Sequence, residues 1–195
     1  KFIRLMIKIG IVGDIGSGKS FVAKNLGFPV FNADKEVAEI YMRDKKCFIK
    51  LKKIIPKYIS SFPINKKEIA KSIISNPRNL KKIIKIVHPI VRKKMKKFLI
   101  KNKNKKIVIL DIPLFLENKI YNQKKDILVF VESPKKEIKN RLKKRPNFNN
   151  KLFKKFKQIQ FTPVYKKRKA KFIIKNKFTK KSVRIGIQNI LNKIF

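Results

Sequence analysis

Short apolar runs occur at five places along the chain, and between them apolar residues recur every three or four positions. The runs are typical of buried strands, and the three-and-four spacing is typical of amphipathic helices. Strands that alternate with helices predict a parallel sheet wrapped by helices, an α/β fold. The five predicted strands are 7–12, 30–34, 107–111, 127–131 and 172–174.

The longest stretch without a convincing strand runs from residue 35 to residue 103. Its helical spacing predicts a helical lobe inserted between the second and third strands. Proline lacks the amide hydrogen that a helix interior needs, so we expect the prolines to divide this lobe into several helices. The expected breaks are at Pro56, Pro63, Pro77 and Pro89. Further along, 149–171 is predicted as a basic helical or loop segment and 183–194 as a last helix.

A glycine-rich segment after the first strand fits G-x-x-x-x-G-K-[ST], the pattern of a phosphate-binding loop. Its amides and the amino end of the next helix would hold phosphate oxygens. Lys19 would reach the β and γ phosphates, and the Ser20 hydroxyl would hold Mg²⁺. A glycine-rich turn without function is less favoured, because a strand precedes the segment and a helix closed by Gly27 follows it. The loop residues are Gly13, Asp14, Ile15, Gly16, Ser17, Gly18, Lys19 and Ser20.

Two acids stand where predicted strands end, at the sheet edge where α/β proteins bind ligands. Asp34, after the second strand, would accept a proton from an attacking hydroxyl, or would cap the helix that begins at Lys35. Asp111, after the third strand, would position Mg²⁺ either directly or through its water shell.

Four basic side chains are further candidates for contacts with phosphate or acceptor. A helix is predicted with Ser133 as N-cap and Pro134 in its first turn. Arg141 and Arg145 would share one face of it, as a clamp over phosphates or as part of a solvated surface. His88, the single histidine, and Arg92 lie four positions apart in the helical lobe. On the residues alone, a helix-end residue bonded to a backbone carbonyl is the favoured interpretation of His88.

The composition is strongly basic, with 54 Lys and Arg against 11 Asp and Glu and a net charge of +43. Such an excess often indicates nucleic-acid binding. Here the lysines are spread along the whole chain beside many Ile, Asn and Phe, as in proteins of AT-rich genomes. We therefore expect weak, salt-sensitive sticking to nucleic acid and no specific nucleic-acid partner.

The single cysteine, Cys47, argues against an internal disulfide or a zinc cluster. No apolar run is long enough for a membrane span. The first six residues are too short, and too quickly followed by the glycine loop, to be a signal peptide. We expect a monomeric cytoplasmic protein of one domain.

In their order and spacing, these motifs resemble dephospho-coenzyme A kinase, a P-loop family of the nucleoside monophosphate kinase type. The resemblance covers nearly the full chain. It implies ATP-dependent phosphorylation of the ribose 3′-hydroxyl of dephospho-coenzyme A, with Mg²⁺, giving coenzyme A and ADP in the last step of coenzyme A biosynthesis. Matching segments are 10–20, Asn32-Ala33-Asp34, Asn76-Pro77, 88–92, 111–117, 141–145, Gln160, Ala170 and Asn176.

The resemblance also implies roles for residues of this chain. Catalysis falls to Asp34, Lys19 and Arg141. ATP binding falls to Gly13, Asp14, Ile15, Gly16, Ser17, Gly18, Lys19, Ser20, Phe21, Arg145 and Asn176. Acceptor binding falls to Asp34, His88, Arg92, Pro113, Leu114 and Glu117, and Mg²⁺ binding to Ser20 with Asp111. The single kinase domain would comprise a core of about 6–34, 104–140 and 170–195, a helical acceptor lobe of about 35–103 and a lid of about 141–169.

The chain departs from the family pattern at Asp14, where Gly is common, and at Phe21, where Thr is usual. Phe156 replaces an expected Arg, and Lys171 replaces an expected Asp. Two alternatives remain open on the residues: a kinase of the same fold with another small-molecule or nucleotide acceptor, and a basic nucleic-acid-binding P-loop protein. The N-K-x-D motif of GTPases is absent, because Asn176-Lys177 is followed by Phe178 and Thr179.

Overall fold

The computed structural model describes residues 6–117, 126–145 and 148–195. The chain divides into two compact units. The first comprises Lys1–Asn32, Asn102–Phe148 and Lys157–Phe195, and the second comprises Ala33–Lys101 and Asn149–Phe156. The segment 141–169, predicted as a lid, is divided between them, so the division into core, lobe and lid stays a prediction.

Five parallel strands form one sheet within the described residues, in the order β2-β3-β1-β4-β5. This confirms the predicted parallel sheet. The strands are β1 (Ile7–Gly13), β2 (Val30–Asn32), β3 (Ile107–Asp111), β4 (Asp126–Glu132) and β5 (Phe172–Lys175). The helices are α1 (Lys19–Asn25), α2 (Ala33–Arg43), α3 (Lys45–Ile54), α4 (Lys66–Ser75), α5 (Arg78–Lys101), α6 (Lys135–Lys143), α7 (Asn150–Gln158), α8 (Pro163–Lys169) and α9 (Lys180–Ile194).

The core of the first unit lies where α1 and α9 cover the sheet. Strand β3 is buried along its whole length, as expected of a strand with neighbours on both edges and helices on its faces. Its neighbour β1 pairs with β3 on one side and β4 on the other. The end of β1 therefore lies at the centre of the sheet. Among the described helices, none combines the length and apolar character that a membrane crossing requires.

The second unit is helical, as predicted, and α5 packs against α2, α3 and α4. The break expected at Pro89 is wrong, because Pro89 lies inside α5. Proline removes one amide donor, but its fixed φ is compatible with a helix. The buried residues Leu80, Ile83 and Val87 anchor the turns before it, so tertiary packing keeps the helix continuous.

Three predicted helix boundaries are also wrong. Strand β2 ends at Asn32, and Asp34 lies in the first turn of α2, where a carboxylate interacts favourably with the helix dipole. The N-cap of α6 is Pro134, without a side-chain cap, instead of Ser133. Arg145 lies beyond the end of α6 and so does not share a helix face with Arg141. The reason is that a proline follows Arg145 in the sequence, and the residue before a proline avoids helical dihedrals.

The lone thiol of the second unit provides a probe of its stability. Cys47 is 0% exposed, and burial, reinforced by the nearby Asp44 carboxylate, raises the pKa of the thiol to about 11. Because the thiolate is the reactive form, we predict that the native protein resists alkylation by neutral iodoacetamide at pH 8.

Labelling would be followed by mass spectrometry in buffer and in urea, where Cys47 should react at the rate of a free thiol. Rapid labelling in buffer, in a protein whose circular dichroism shows it to be folded, would contradict the burial of Cys47.

Candidate active site

The glycine loop connects the central strand β1 to α1, so its position is set by the middle of the sheet. Gly16 and Gly18 both have φ of +87°, and Gly18 is the N-cap of α1. This left-handed region is unfavourable for a residue with a Cβ. A Cβ on Gly18 would also lie 2.5 Å from the Nδ2 atom of Asn176. Both the dihedral and the space therefore require glycine at this position.

The carbonyl of Ser17 is held from two directions. The Ser133 hydroxyl donates to it at 2.8 Å, and the Asn176 side-chain amide donates to it at 2.9 Å. Asn176 is 2% exposed, and its backbone amide donates to the Glu132 carbonyl at 2.7 Å. Residues that follow β4 and β5 thus fix the path of the loop.

Two charged side chains of the loop bond to its own backbone. The Lys19 ammonium donates to the carbonyl of Asp14 at 2.8 Å and lies 3.4 Å from that of Gly13. The Asp14 carboxylate accepts the amide of Ile15 at 2.8 Å. Lys19 therefore arches back over the loop, while Asp14 turns onto the backbone beside it. Phe21, in the first helical turn, is 42% exposed.

An arginine lies close to the loop through an aromatic contact. The guanidinium of Arg141 lies 4.5 Å from the ring centroid of Phe178. Phe178 has φ of 59°, uncommon for a bulky residue. Its amide donates to the Asn176 side-chain oxygen at 2.8 Å, and a Cβ on Gly18 would meet its ring at 3.7 Å. The stack sets the direction of Arg141.

Oxygen donors suited to a hard cation occur at this edge of the sheet. Asp111 ends β3 and is 3% exposed, and its Oδ2 atom accepts the Asn32 amide at 2.6 Å. Ser20 lies in the first turn of α1 and is exposed. Within the described ranges there is no cluster of three or more His, Cys, Asp or Glu that could hold a metal. A few oxygen donors supplemented by phosphate and water are what Mg²⁺ usually takes, so this set fits that ion.

The segment that leaves β3 carries three predicted acceptor residues. Pro113 and Leu114 are partly exposed. Glu117 is more constrained, because its Oε1 atom accepts the Phe161 amide at 2.7 Å and lies 3.1 Å from the Lys166 ammonium.

The other predicted site residues lie in the second unit. Asp34 is exposed in the first turn of α2, and His88 and Arg92 lie one turn apart on α5, the histidine partly buried and the arginine exposed. In the sequence, Asp34 of the second unit follows Asn32 of the first unit by two residues.

Sequence reasoning missed three residues that shape the first unit. The sequence predicts Ser133 as a helix cap, and no local pattern signals that its hydroxyl donates to the carbonyl of Ser17. Lys166 is 2% exposed, but nothing distinguishes it among so many lysines. For Phe178, the only local signal is the Asn two positions earlier, which commonly begins a turn.

A parallel sheet in this strand order, with a G-x-x-x-x-G-K-[ST] loop after its central strand, defines a P-loop nucleotide-binding protein. The family model for dephospho-CoA kinase matches residues 7–181. A dephospho-CoA kinase from Bartonella quintana is 32% identical over 171 residues, covering 85% of this chain and 87% of its own. This chain belongs to the dephospho-CoA kinase family.

Solved structures agree with that assignment. A dephospho-CoA kinase from Campylobacter jejuni superimposes with a TM-score of 0.64 at 25% identity, covering 97% of this chain and 98% of its own. A crystal structure from Thermus thermophilus superimposes with a TM-score of 0.78 at 25% identity, covering 98% and 99%. The predicted fold, family and kinase class are confirmed, and neither alternative function is favoured.

Two glycines with similar dihedrals separate the cost of the backbone conformation from the needs of the loop. Gly27 has φ of +79°, close to the +87° of Gly18, but a Cβ there would meet nothing within 4 Å. We predict that Gly27→Ala lowers the free energy of unfolding by about 1 kcal/mol and leaves ATP affinity unchanged. Gly18→Ala should lower it further and weaken ATP binding about tenfold or more, because Asn176 must move.

Urea titration and calorimetric titration with ATP would measure the two effects. Equal ATP affinity in both variants would show that the Asn176 contact is unimportant for the loop.

Proposed function

We propose that this protein transfers the γ-phosphoryl group of ATP to the ribose 3′-hydroxyl of dephospho-coenzyme A through the residues described above. The observation that carries the proposal is the loop itself. Its glycine dihedrals and its pinned Ser17 carbonyl prepare a backbone that bends around phosphate, immediately before Lys19 and Ser20. Membership of the dephospho-CoA kinase family supplies the acceptor.

Phosphate binding falls to the loop and the basic side chains near it. The amides of the loop and the amino end of α1 hold the β and γ phosphates of ATP. On phosphate binding, the Lys19 ammonium exchanges its backbone carbonyl partners for phosphate oxygens. Arg141, directed by the ring of Phe178, neutralises charge that develops during transfer. Arg145 and Asn176 complete the ATP side.

The acceptor side falls to the second unit and to the segment after β3. Asp34 takes the proton of the 3′-hydroxyl as the hydroxyl oxygen bonds to the γ-phosphorus. The bond between the γ-phosphorus and the β-γ bridging oxygen breaks, which releases ADP. His88 and Arg92 bind the anionic acceptor, together with the segment of Pro113, Leu114 and Glu117.

We also propose that Ser20 and Asp111 hold Mg²⁺, Asp111 directly or through water. When bound, the ion neutralises charge on the β and γ phosphates. The partly buried hydrogen bond from Asn32 fixes the Asp111 carboxylate, so its orientation is set before any ligand arrives. A monomeric state and a cytoplasmic location remain predictions of the sequence.

The acceptor is tested by ADP release with ATP and Mg²⁺ at moderate salt. Dephospho-coenzyme A, AMP, CMP and no acceptor would be compared. We expect turnover with dephospho-coenzyme A alone, because the long helical lobe and the acidic exit of β3 match that family. Turnover with a nucleotide alone would keep the P-loop kinase and change the acceptor.

The role of Asp34 is tested by Asp34→Asn, which keeps the size of the side chain and removes its basicity. We predict that kcat falls by roughly 10² to 10⁴, as is usual for loss of a general base, while the Kd for ATP stays nearly constant.

Glu39→Gln is the matched control, since Glu39 lies on the same helix in a surface pair with Arg43 at 3.4 Å. It should leave kcat unchanged, because exposed pairs contribute little. A parallel loss of ATP affinity in Asp34→Asn would assign Asp34 a structural role instead.

A further inference from the structure

Lys166 differs from the other basic residues in the described part of the chain. Among them it alone is buried, with 2% of its surface exposed. Burial of an ammonium group is costly unless charge and hydrogen bonds compensate for it. The other lysines in the described part of the chain are exposed or partly exposed, so the burial of Lys166 requires a local reason.

The compensation comes from two separate segments of the first unit. The Lys166 ammonium lies 3.1 Å from the Glu117 Oε1 atom and donates to the Gln160 side-chain oxygen at 3.1 Å. Glu117 belongs to the segment that leaves β3, and Gln160 to the turn before α8. The amide of Phe161, in the same turn, also donates to the Glu117 Oε1 atom at 2.7 Å. One carboxylate oxygen therefore ties the turn to the exit of β3.

The other oxygen of Glu117 has a different environment. The Glu117 side chain is 10% exposed, and its Oε2 atom is buried with no hydrogen-bond partner among the described residues. A buried carboxylate oxygen without a donor is unfavourable. Because Lys166 and Phe161 fix the plane of the carboxylate through Oε1, the direction of Oε2 is fixed as well.

We propose that Lys166 is a positioning residue for the acceptor. It holds Glu117 so that Oε2 accepts a hydrogen bond from an N–H or O–H group of dephospho-coenzyme A. This inference rests on the proposed function, because Glu117, Pro113 and Leu114 form the acceptor segment there. A neutral acceptor group would supply the missing donor, while the ammonium balances the negative charge of the carboxylate.

The test begins with Lys166→Met, which keeps an unbranched side chain only one atom shorter and removes the charge. Lys167→Met is the matched control, because Lys167 lies on the same helix and pairs with Glu132 at 2.6 Å, with its side chain 44% exposed. We expect Lys166→Met to raise the KM for dephospho-coenzyme A about tenfold or more and to change the KM for ATP less than about twofold. The control should change neither constant beyond about twofold.

A double variant separates positioning from stability. Lys166→Met leaves the Glu117 charge buried without its partner, which should lower the thermal midpoint or prevent folding. Adding Glu117→Gln removes that charge, so the thermal midpoint of the double variant should return close to that of the wild type. The introduced glutamine side chain would place either an NH₂ group or an oxygen no longer held by Lys166 at the position of Oε2. Neither would accept the hydrogen bond of the acceptor as well, so the KM for dephospho-coenzyme A should stay raised.

Recovery of both the thermal midpoint and the KM in the double variant would overturn the proposal and leave Lys166 a purely structural residue. Equal increases in the KM for ATP and for dephospho-coenzyme A would overturn it too. Failure of the proposed function is distinguishable, because the wild-type protein would then show no turnover with dephospho-coenzyme A.

Discussion

Two hydrogen bonds on the carbonyl of Ser17 govern the nucleotide side of this molecule. A loop that binds phosphate must direct consecutive amides to one side, so its carbonyls must be satisfied on the other. Ser133 and Asn176 provide that satisfaction from the ends of two neighbouring strands. The glycines allow the turn, but the strand order of the sheet brings the donors to it. Exchange of either donor would leave the glycine sequence intact and its geometry unsupported.

Acids are scarce in this chain, and the buried ones have defined partners. Asp126 pairs with Lys8 at 2.7 Å where β4 and β1 begin, and Asp111 accepts a side-chain amide at the other end of the sheet. Glu117 pairs with Lys166 inside the first unit. A large excess of exposed lysine disfavours compaction by self-repulsion. Each of these carboxylates attracts a basic or amide side chain of the same unit, which opposes that repulsion locally. Because the chain has few acids, an acid in the interior marks a position where a carboxylate is needed.

Local rules predicted the parts of the molecule that depend on neighbouring residues in sequence. The apolar runs located the strands, and the glycine pattern located Gly18, because a backbone dihedral is decided by the residue that adopts it. Errors arose where a distant partner decides. Ser133 resembles a helix cap but bonds to the loop, and Pro89 stays helical because the rest of α5 is packed. The ion pair of Lys166 joins segments that no local pattern connects.

The bonds to Ser17 also constrain when the nucleotide site can exist during synthesis. Their donors lie 116 and 159 positions further along the chain. A ribosome releases the glycine loop long before it has made Asn176, so the nascent loop has the sequence of a nucleotide site without its support. Until then the emerging amino-terminal segment should bind ATP weakly, although ATP is abundant where proteins are made. Ligand binding can favour only a chain that already includes Asn176, and it then stabilises the complete sheet in preference to its fragments.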